Sequence, residues 1–264
     1  MQFQSFLMNK ASIIIPAYNE EKRIGKTLEA YLEYFDNLKK NKEIEYEILV
    51  VINNTTDKTE EIVKNFIKKN KNLSYLNLIK GGKGYATIEG FKDALKKDND
   101  LIGFVDADMS TLPEDFFYLI KNIGSYDGTI ASRYIKGSVI KPKPTIARLI
   151  AKRMFNTLIR SILFLPFRDT QCGAKIFKRQ ALQKAIPYLR LSQWAFDVDL
   201  LYTMKKNKFR IKEVKTNWTD REYSKINFWR AGPWMALGVI RLRILNSPFK
   251  SLIRIYDKFL NFLK

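Results

Sequence analysis

Short β-branched runs alternate with longer stretches in which apolar residues recur every three or four positions through the first half of the chain. The runs at 12–15, 47–51, 73–79, 101–105 and 128–131 predict strands, and the stretches at 20–38 and 59–69 predict helices. Such alternation is the grammar of an α/β fold, a mostly parallel central sheet with helices on both faces. Ligands in such sheets bind beyond the carboxyl ends of the strands. Three polar segments fall there: 16–20, 53–57 and 106–108.

From residue 141 the pattern changes. Pro144 can open a helix, and 145–164 carries Arg148, Lys152, Arg153 and Arg160 among Ile, Leu, Met and Phe. A basic amphipathic helix over about 144–165 is the expectation. A strand at 174–177, a helix at 196–206 and a strand at 210–214 complete a domain spanning 1–227. The remainder, 228–264, reads as two amphipathic helices broken at Ser247-Pro248. In the second of them Lys250, Arg254, Asp257, Lys258 and Asn261 take one face, while Phe249, Leu252, Ile253, Tyr256, Phe259 and Leu260 take the other. Two readings stand for it: a membrane interface, or docking onto the body of the protein.

Charge and missing residue types narrow the chemistry. With 47 Lys and Arg against 27 Asp and Glu, the net charge of +20 favours anionic partners, without choosing among phosphates, nucleic acid and acidic lipid. A single cysteine excludes an internal disulfide, and the absence of histidine excludes histidine-ligated zinc and histidine acid–base catalysis. Carboxylates, Lys, Arg, Tyr or a hard metal must do the work. Residues 1–10 are too short for a signal peptide, and no apolar run reaches the roughly 18 residues of a transmembrane helix. If the chain meets a membrane at all, the expected location is therefore peripheral, on its cytoplasmic side.

Asp106 and Asp108 follow the run 101–105, where alternate residues point the same way. Two carboxylates on one side, completed by substrate phosphates, suit Mg2+ or Mn2+. Considered alone, a short aspartate pattern is more at home in a solvated turn; its place after a buried strand and its neighbours favour the ion. Gly81-Gly82-Lys83-Gly84 precedes a helix, so its backbone N–H groups and the Lys83 charge can meet an anion, although the spacing is not that of a Walker loop.

The segments IIIPAYNE, the turn before Asp57-Lys58-Thr59, GGKGYA, VDADMST, IASRY, RDTQCGAKIFKR, WAFDVDLLY and VKTNWTDREYSK follow one another in order. Together they make the chain resemble, over 11–245, the family-2 inverting glycosyltransferases of GT-A fold. The resemblance is to their polyprenyl-phosphate branch, the dolichyl-phosphate β-glucosyltransferases and dolichol-phosphate mannose synthases. It implies metal-dependent transfer of a hexose, glucose or mannose, from a UDP-sugar or GDP-sugar to polyprenyl or dolichyl phosphate at a membrane surface, with no role for nucleic acid. Pro16, Tyr18 and Glu20 would line the nucleotide pocket, with Lys83 beside the donor. Asp106 and Asp108 would hold nucleotide and metal, and Arg133 would meet a phosphate. Asp197 holds the position of the catalytic carboxylate, and Asp169 is a second catalytic candidate.

The family's Asp-Asp-Gly-Ser is here Ile52-Asn53-Asn54-Thr55, so Asn53 stands where an aspartate commonly accepts a hydrogen bond from the base. Asn53 can both accept and donate, which opens the question of the base. A lipid phosphate is already anionic and needs positioning more than deprotonation, so Arg148 joins Arg133 as a candidate phosphate ligand. A solvated or membrane-facing charge is the other reading of Arg148. Asp197 reads as a positioning group or as a helix N-cap. Cys172 reads as a packed small residue. Two competing functions remain at this point: transfer to a soluble or growing glycan, and a non-catalytic basic module binding membrane or nucleic acid.

Overall fold

The computed structural model describes residues 9–143, 145–190, 195–219 and 228–262. Its first half follows the predicted alternation: β1 Lys10–Ala17, α1 Ile24–Lys40, β2 Glu45–Asn53, α2 Thr59–Ile67, β3 Leu73–Leu78, α3 Lys83–Ala94, β4 Leu101–Val105, α4 Pro113–Lys121 and β5 Gly128–Ser132. Then come β6 Val139–Lys141, α5 Ile146–Leu163, β7 Ala174–Lys178, α6 Arg179–Ala185, α7 Phe196–Lys206, β8 Ile211–Lys215, β9 Asn217–Thr219, α8 Phe228–Leu245 and α9 Ile253–Phe262.

Seven strands form the central sheet in the order β3-β2-β1-β4-β7-β5-β8. All neighbours are parallel except β7, which runs antiparallel to both β4 and β5. This is the mostly parallel α/β sheet that the alternation predicts. Strand alternation divides the core into two. Ile13, Ile15, Ile48, Val50 and Ile52 pack under Leu28, Tyr31 and Phe35 of α1, Val63 of α2 and Phe116 of α4. Ile14, Leu49, Val51, Ile102 and Phe104 face the other way, against α3, α5, α6 and α7. Each large aliphatic buried in this way contributes about 1.5–3 kcal/mol, which fixes strand register, since a one-residue slip exchanges the two faces.

Some boundaries differ from the sequence reading. The first helix begins at Ile24 rather than at residue 20, because 21–23 form a turn whose Arg23 and Ile24 N–H groups donate to the Glu20 carbonyl. α4 was not anticipated, although Pro113 in its first turn with Glu114 and Asp115 beside it is a good helix start, and Phe116, Phe117, Leu119 and Ile120 are buried.

The helices of the second half settle on the second face. α5 turns Phe155, Ile159 and Leu163 inward. It also exposes apolar residues at four-residue spacing, Ile146 at 77%, Ile150 at 52%, Met154 at 68% and Leu158 at 46%. It therefore carries two apolar faces, not the single one expected. α8 packs on α5 and α7, with Val239 and Leu242 buried. The chain breaks after Asn246, as Ser247-Pro248 suggested. α9 is tied back to α8 by a bidentate Arg241–Asp257 pair (2.7 and 3.0 Å) and by the Tyr256 hydroxyl donating to the Leu237 carbonyl (2.8 Å). Phe249, Leu252 and Ile255 remain exposed. Among the described residues no helix is long and apolar enough to cross a membrane.

Candidate active site

The loops after β1 and β2 and the entry to α3 meet at the carboxyl edge of the sheet, joined by Asn53. Its Nδ2 donates to the Ala17 carbonyl (2.9 Å), and its Oδ1 accepts the Gly82 N–H (3.0 Å). Asn53 is 2% exposed. It braces these loops against one another, and this carboxamide arrangement needs a donor that an aspartate would lack. Close by, the Glu20 N–H donates to Thr59 Oγ1 (2.7 Å), and the Glu20 carboxylate holds Arg23 through two contacts of 2.6 Å. Pro16 is buried in β1 opposite Val51, whereas Tyr18 stands half-exposed beyond the strand end.

Asp106 follows β4 on the side of the sheet that faces α3 and α7. Its N–H donates to the Gly173 carbonyl (3.0 Å). From the opposite side Thr27 Oγ1 donates to the Ala107 carbonyl (2.8 Å) and the Tyr31 hydroxyl to that of Thr111 (3.0 Å), so α1 pins the loop from below. Asp108 Oδ1 accepts the Ser110 N–H (2.9 Å) across Met109, whose φ is +58°. Gly173 leaves room for this carboxylate: a Cβ at that position would lie 1.9 Å from Asp106 Oδ2 and push it aside.

Four charges alternate along this face. Lys83 Nζ lies 2.5 Å from Asp106 Oδ1 and 3.9 Å from Asp197 Oδ2. The other Asp197 oxygen lies 2.5 Å from Lys175 Nζ, which also donates to the Cys172 carbonyl (2.6 Å). Lys175 is fully buried on β7, with Phe104 beneath it; its ammonium and that of Lys83 lie 5.3 and 5.7 Å from that ring's centre. Burial lifts the Asp106 carboxyl above its ordinary value; Lys83 opposes this, while Asp108 and Asp197 add to it. Burial acts to lower the Lys83 ammonium, but Asp106 and Asp197 outweigh it and raise it. Ala195 holds the N-cap position of α7 with no side-chain cap, and the Asp197 carboxylate is turned to the lysines instead of capping the helix.

Asp106 and Asp108 offer carboxylate oxygens of the type a hard divalent cation takes, yet among the described residues no cluster of three or more carboxylate, thiol or imidazole groups completes a cage. The donor set therefore fits an ion that shares its coordination with substrate oxygens, as Mg2+ does with phosphates.

Arg133 and Asp169 form a separate unit. Arg133 Nε and Nη2 donate to the two Asp169 oxygens at 2.7 and 3.0 Å, and the Arg133 N–H adds a third contact at 2.9 Å. The guanidinium lies 5.5 Å from the Tyr134 ring centre and 5.0 Å from that of Trp218. Burial acts to raise the Asp169 carboxyl, but Arg133 outweighs it and holds it below the ordinary range. With both oxygens committed, Asp169 has the geometry of a structural counter-ion. Cys172 is buried, its thiol pushed up to about 12 by burial, in keeping with a packing role. Arg148 lies in α5, but its side chain is outside the described residues.

Gly173 and Lys175 were not singled out from the sequence. The signal for Lys175 is present nonetheless: in Ala174-Lys175-Ile176-Phe177 it shares a strand face with Phe177, and a lysine on an apolar face of a central strand requires a carboxylate partner.

The family model described as Glycosyl transferase family 2 matches residues 12–186, which includes Asp106 and Asp108 but stops short of Asp197. The chain is 30% identical over 259 residues to the dolichyl-phosphate beta-glucosyltransferase of Dictyostelium discoideum, covering 92% of this chain and 78% of that one. It is 31% identical over 255 residues to the human dolichyl-phosphate beta-glucosyltransferase, covering 90% and 77%. Among solved structures, glucosyl-3-phosphoglycerate synthase from Mycobacterium tuberculosis, in complex with Mn2+, uridine diphosphate and glucosyl-3-phosphoglycerate, superposes with a TM-score of 0.62 at 17% identity, covering 89% of this chain and 79% of that one.

Proposed function

Since the chain belongs to glycosyl transferase family 2 and is a glycosyltransferase, we propose that it transfers glucose, with inversion, from UDP-glucose to the phosphate of dolichyl or another polyprenyl phosphate. The observation that carries this reading is the meeting of Asp106, Lys83 and Asp197 on one face, where a nucleotide-sugar diphosphate and a phosphate nucleophile can be brought together. The lipid acceptor and the glucose are supported by the names of the relatives, and UDP with a divalent ion by the complex of the mycobacterial neighbour.

A divalent cation, Mg2+ or Mn2+, held by Asp106 and Asp108 would neutralise the charge growing on the departing diphosphate. The protein's own groups do the rest. Tyr18 and Glu20 border the nucleotide pocket, and Asn53 keeps its walls together. The acceptor phosphate arrives ionised, so Asp197 serves to orient the sugar or acceptor, its carboxylate held at a fixed angle by buried Lys175. Arg133 spends Nε and Nη2 on Asp169, which leaves Nη1 as the edge that can turn to a phosphate. Arg148 is a second phosphate ligand in this reading. The exposed ridge Ile146, Ile150, Met154 and Leu158, with Lys152 and Arg153 on the same helix, suits a peripheral position at an anionic bilayer near the lipid acceptor.

Transfer of labelled sugar from UDP-glucose, other UDP-sugars and GDP-mannose to dolichyl phosphate in detergent or liposomes, with Mg2+, Mn2+ or chelator, tests the assignment. Glucosyl lipid from UDP-glucose, lost on chelation, is expected. Mannosyl lipid from GDP-mannose would change the sugar and base, and no lipid product from any donor would overturn the reading.

A further inference from the structure

We propose that Lys83 is a built-in counter-cation of the metal carboxylate: its ammonium occupies Asp106 in the donor-free protein and crosses to Asp197 when a divalent cation arrives with the nucleotide diphosphate. The inference rests on the preceding reading that Asp106 and Asp108 hold that cation.

The two carboxylates at issue are each held from another element, and the ammonium sits between them on a long stem. Asp106 is tied through its N–H to the Gly173 carbonyl, and its Oδ2 fills the space a side chain at 173 would take. Asp197 is anchored on its far side by Lys175 at 2.5 Å. Lys83 sits between them at the start of α3 and touches Asp106 through a single atom at 2.5 Å, with Asp197 Oδ2 at 3.9 Å. Its side chain is 35% exposed and has four rotatable carbons, so a change of partner needs torsions of one stem and no backbone motion. The backbone is itself held, because the Gly82 N–H is bonded to Asn53.

Electrostatics set the order of events. A divalent ion approaching Asp106 alone must displace an ammonium from its best partner and then remain beside it, and like charges a few ångströms apart repel strongly in a partly desolvated site. A diphosphate changes the balance, since its negative charges can accommodate both cations while Asp197 supplies the second berth. Metal and nucleotide then favour one another's binding, and by linkage the favour is reciprocal. The same movement brings a positive charge towards Asp197, so loading of the donor is felt at the carboxylate that faces the acceptor.

The test is a Mn2+ titration followed by the electron paramagnetic resonance of the free ion, on wild type, Lys83→Met, Lys83→Gln and Lys83→Arg, each with and without UDP. Circular dichroism of each variant verifies that it is folded. Without UDP, Lys83→Met and Lys83→Gln are expected to bind Mn2+ roughly tenfold or more tightly than wild type, and UDP should then enhance their Mn2+ affinity less than it does in wild type. Lys83→Arg, which keeps the charge, should bind as weakly as wild type. If both neutral variants bind Mn2+ alone no more tightly than wild type, while wild type binds it with UDP, this proposal is wrong and the metal site stands. If no form binds Mn2+ even with UDP, the metal site falls too.

Discussion

Two of the cation–carboxylate pairs on the carboxyl side of this sheet are built in opposite ways. Arg133 and Asp169 meet through both edges of guanidinium and carboxylate plus a backbone N–H, with side chains only 12% and 1% exposed. Lys83 and Asp106 meet through one pair of atoms, with side chains 35% and 26% exposed and another carboxylate 3.9 Å away. A planar fork with every oxygen engaged can hold only one arrangement; a point charge on a flexible stem between two acids can hold two. On this reading Asp169 is scaffold that holds Arg133 in place and Lys83 is machinery, a difference the identity of the residues does not show, since both pairs were drawn from motifs that the resemblance marked as functional.

The largest effect that would sharpen this contrast is on stability. Asp169→Ala leaves the buried Arg133 unpaired and should cost about 3–5 kcal/mol in urea unfolding; a loss within error of zero would break the scaffold reading. Asp106→Asn should lower kcat/KM by about 10²–10³-fold, the scale set by removing one electrostatic group from the transition state, while the fold survives calorimetry. Glucosyl transfer at wild-type rate in that variant would move the donor site elsewhere.

Gly173→Ala is a milder intrusion. Its Cβ must push Asp106 aside, so a roughly tenfold to hundredfold loss of turnover is expected with little change in Tm, since misplacing a positioning group by about 1 Å has that scale of effect. Finally, the pairs should differ in acid. The Asp169 carboxyl is held low, so its stabilisation is complete above the ordinary carboxylate range near 4 and fades as pH falls through its depressed folded value. The Asp106 carboxyl is held high, so its ionisation works against the fold: the cost is absent below its ordinary value and complete above its raised one. Melting temperatures from pH 3 to 7 should therefore lose part of their rise with pH in Asp169→Asn and gain in slope in Asp106→Asn.

The strands that carry the site were legible because β1, β2 and β4 are nearly unbroken apolar runs, and burial on both faces demands that. Asp106 was legible through its position at the end of such a run. The antiparallel entry of β7 between β4 and β5 was not, because strand order is decided by packing between residues 45 to 77 positions apart and leaves no local trace. For the same reason Lys175 passed unnoticed: its partner, Asp197, lies on another element. Asn53 was noticed for its departure from the family pattern, but its partners, Ala17 and Gly82, are backbone groups, and side-chain chemistry alone cannot reveal them. In α5 the periodicity marked apolar and basic positions correctly, yet two apolar faces on one helix blur into the pattern of one.

β7 has a neighbour on each edge, one from each half of the sheet, and it carries Lys175 with Gly173 immediately before it. Its amides should therefore be among the slowest in the chain to exchange with deuterium, opening only when the whole sheet opens. Asp106, bonded to Gly173, and Asp197, bonded to Lys175, would then share one rigid reference, whatever the surface helices do.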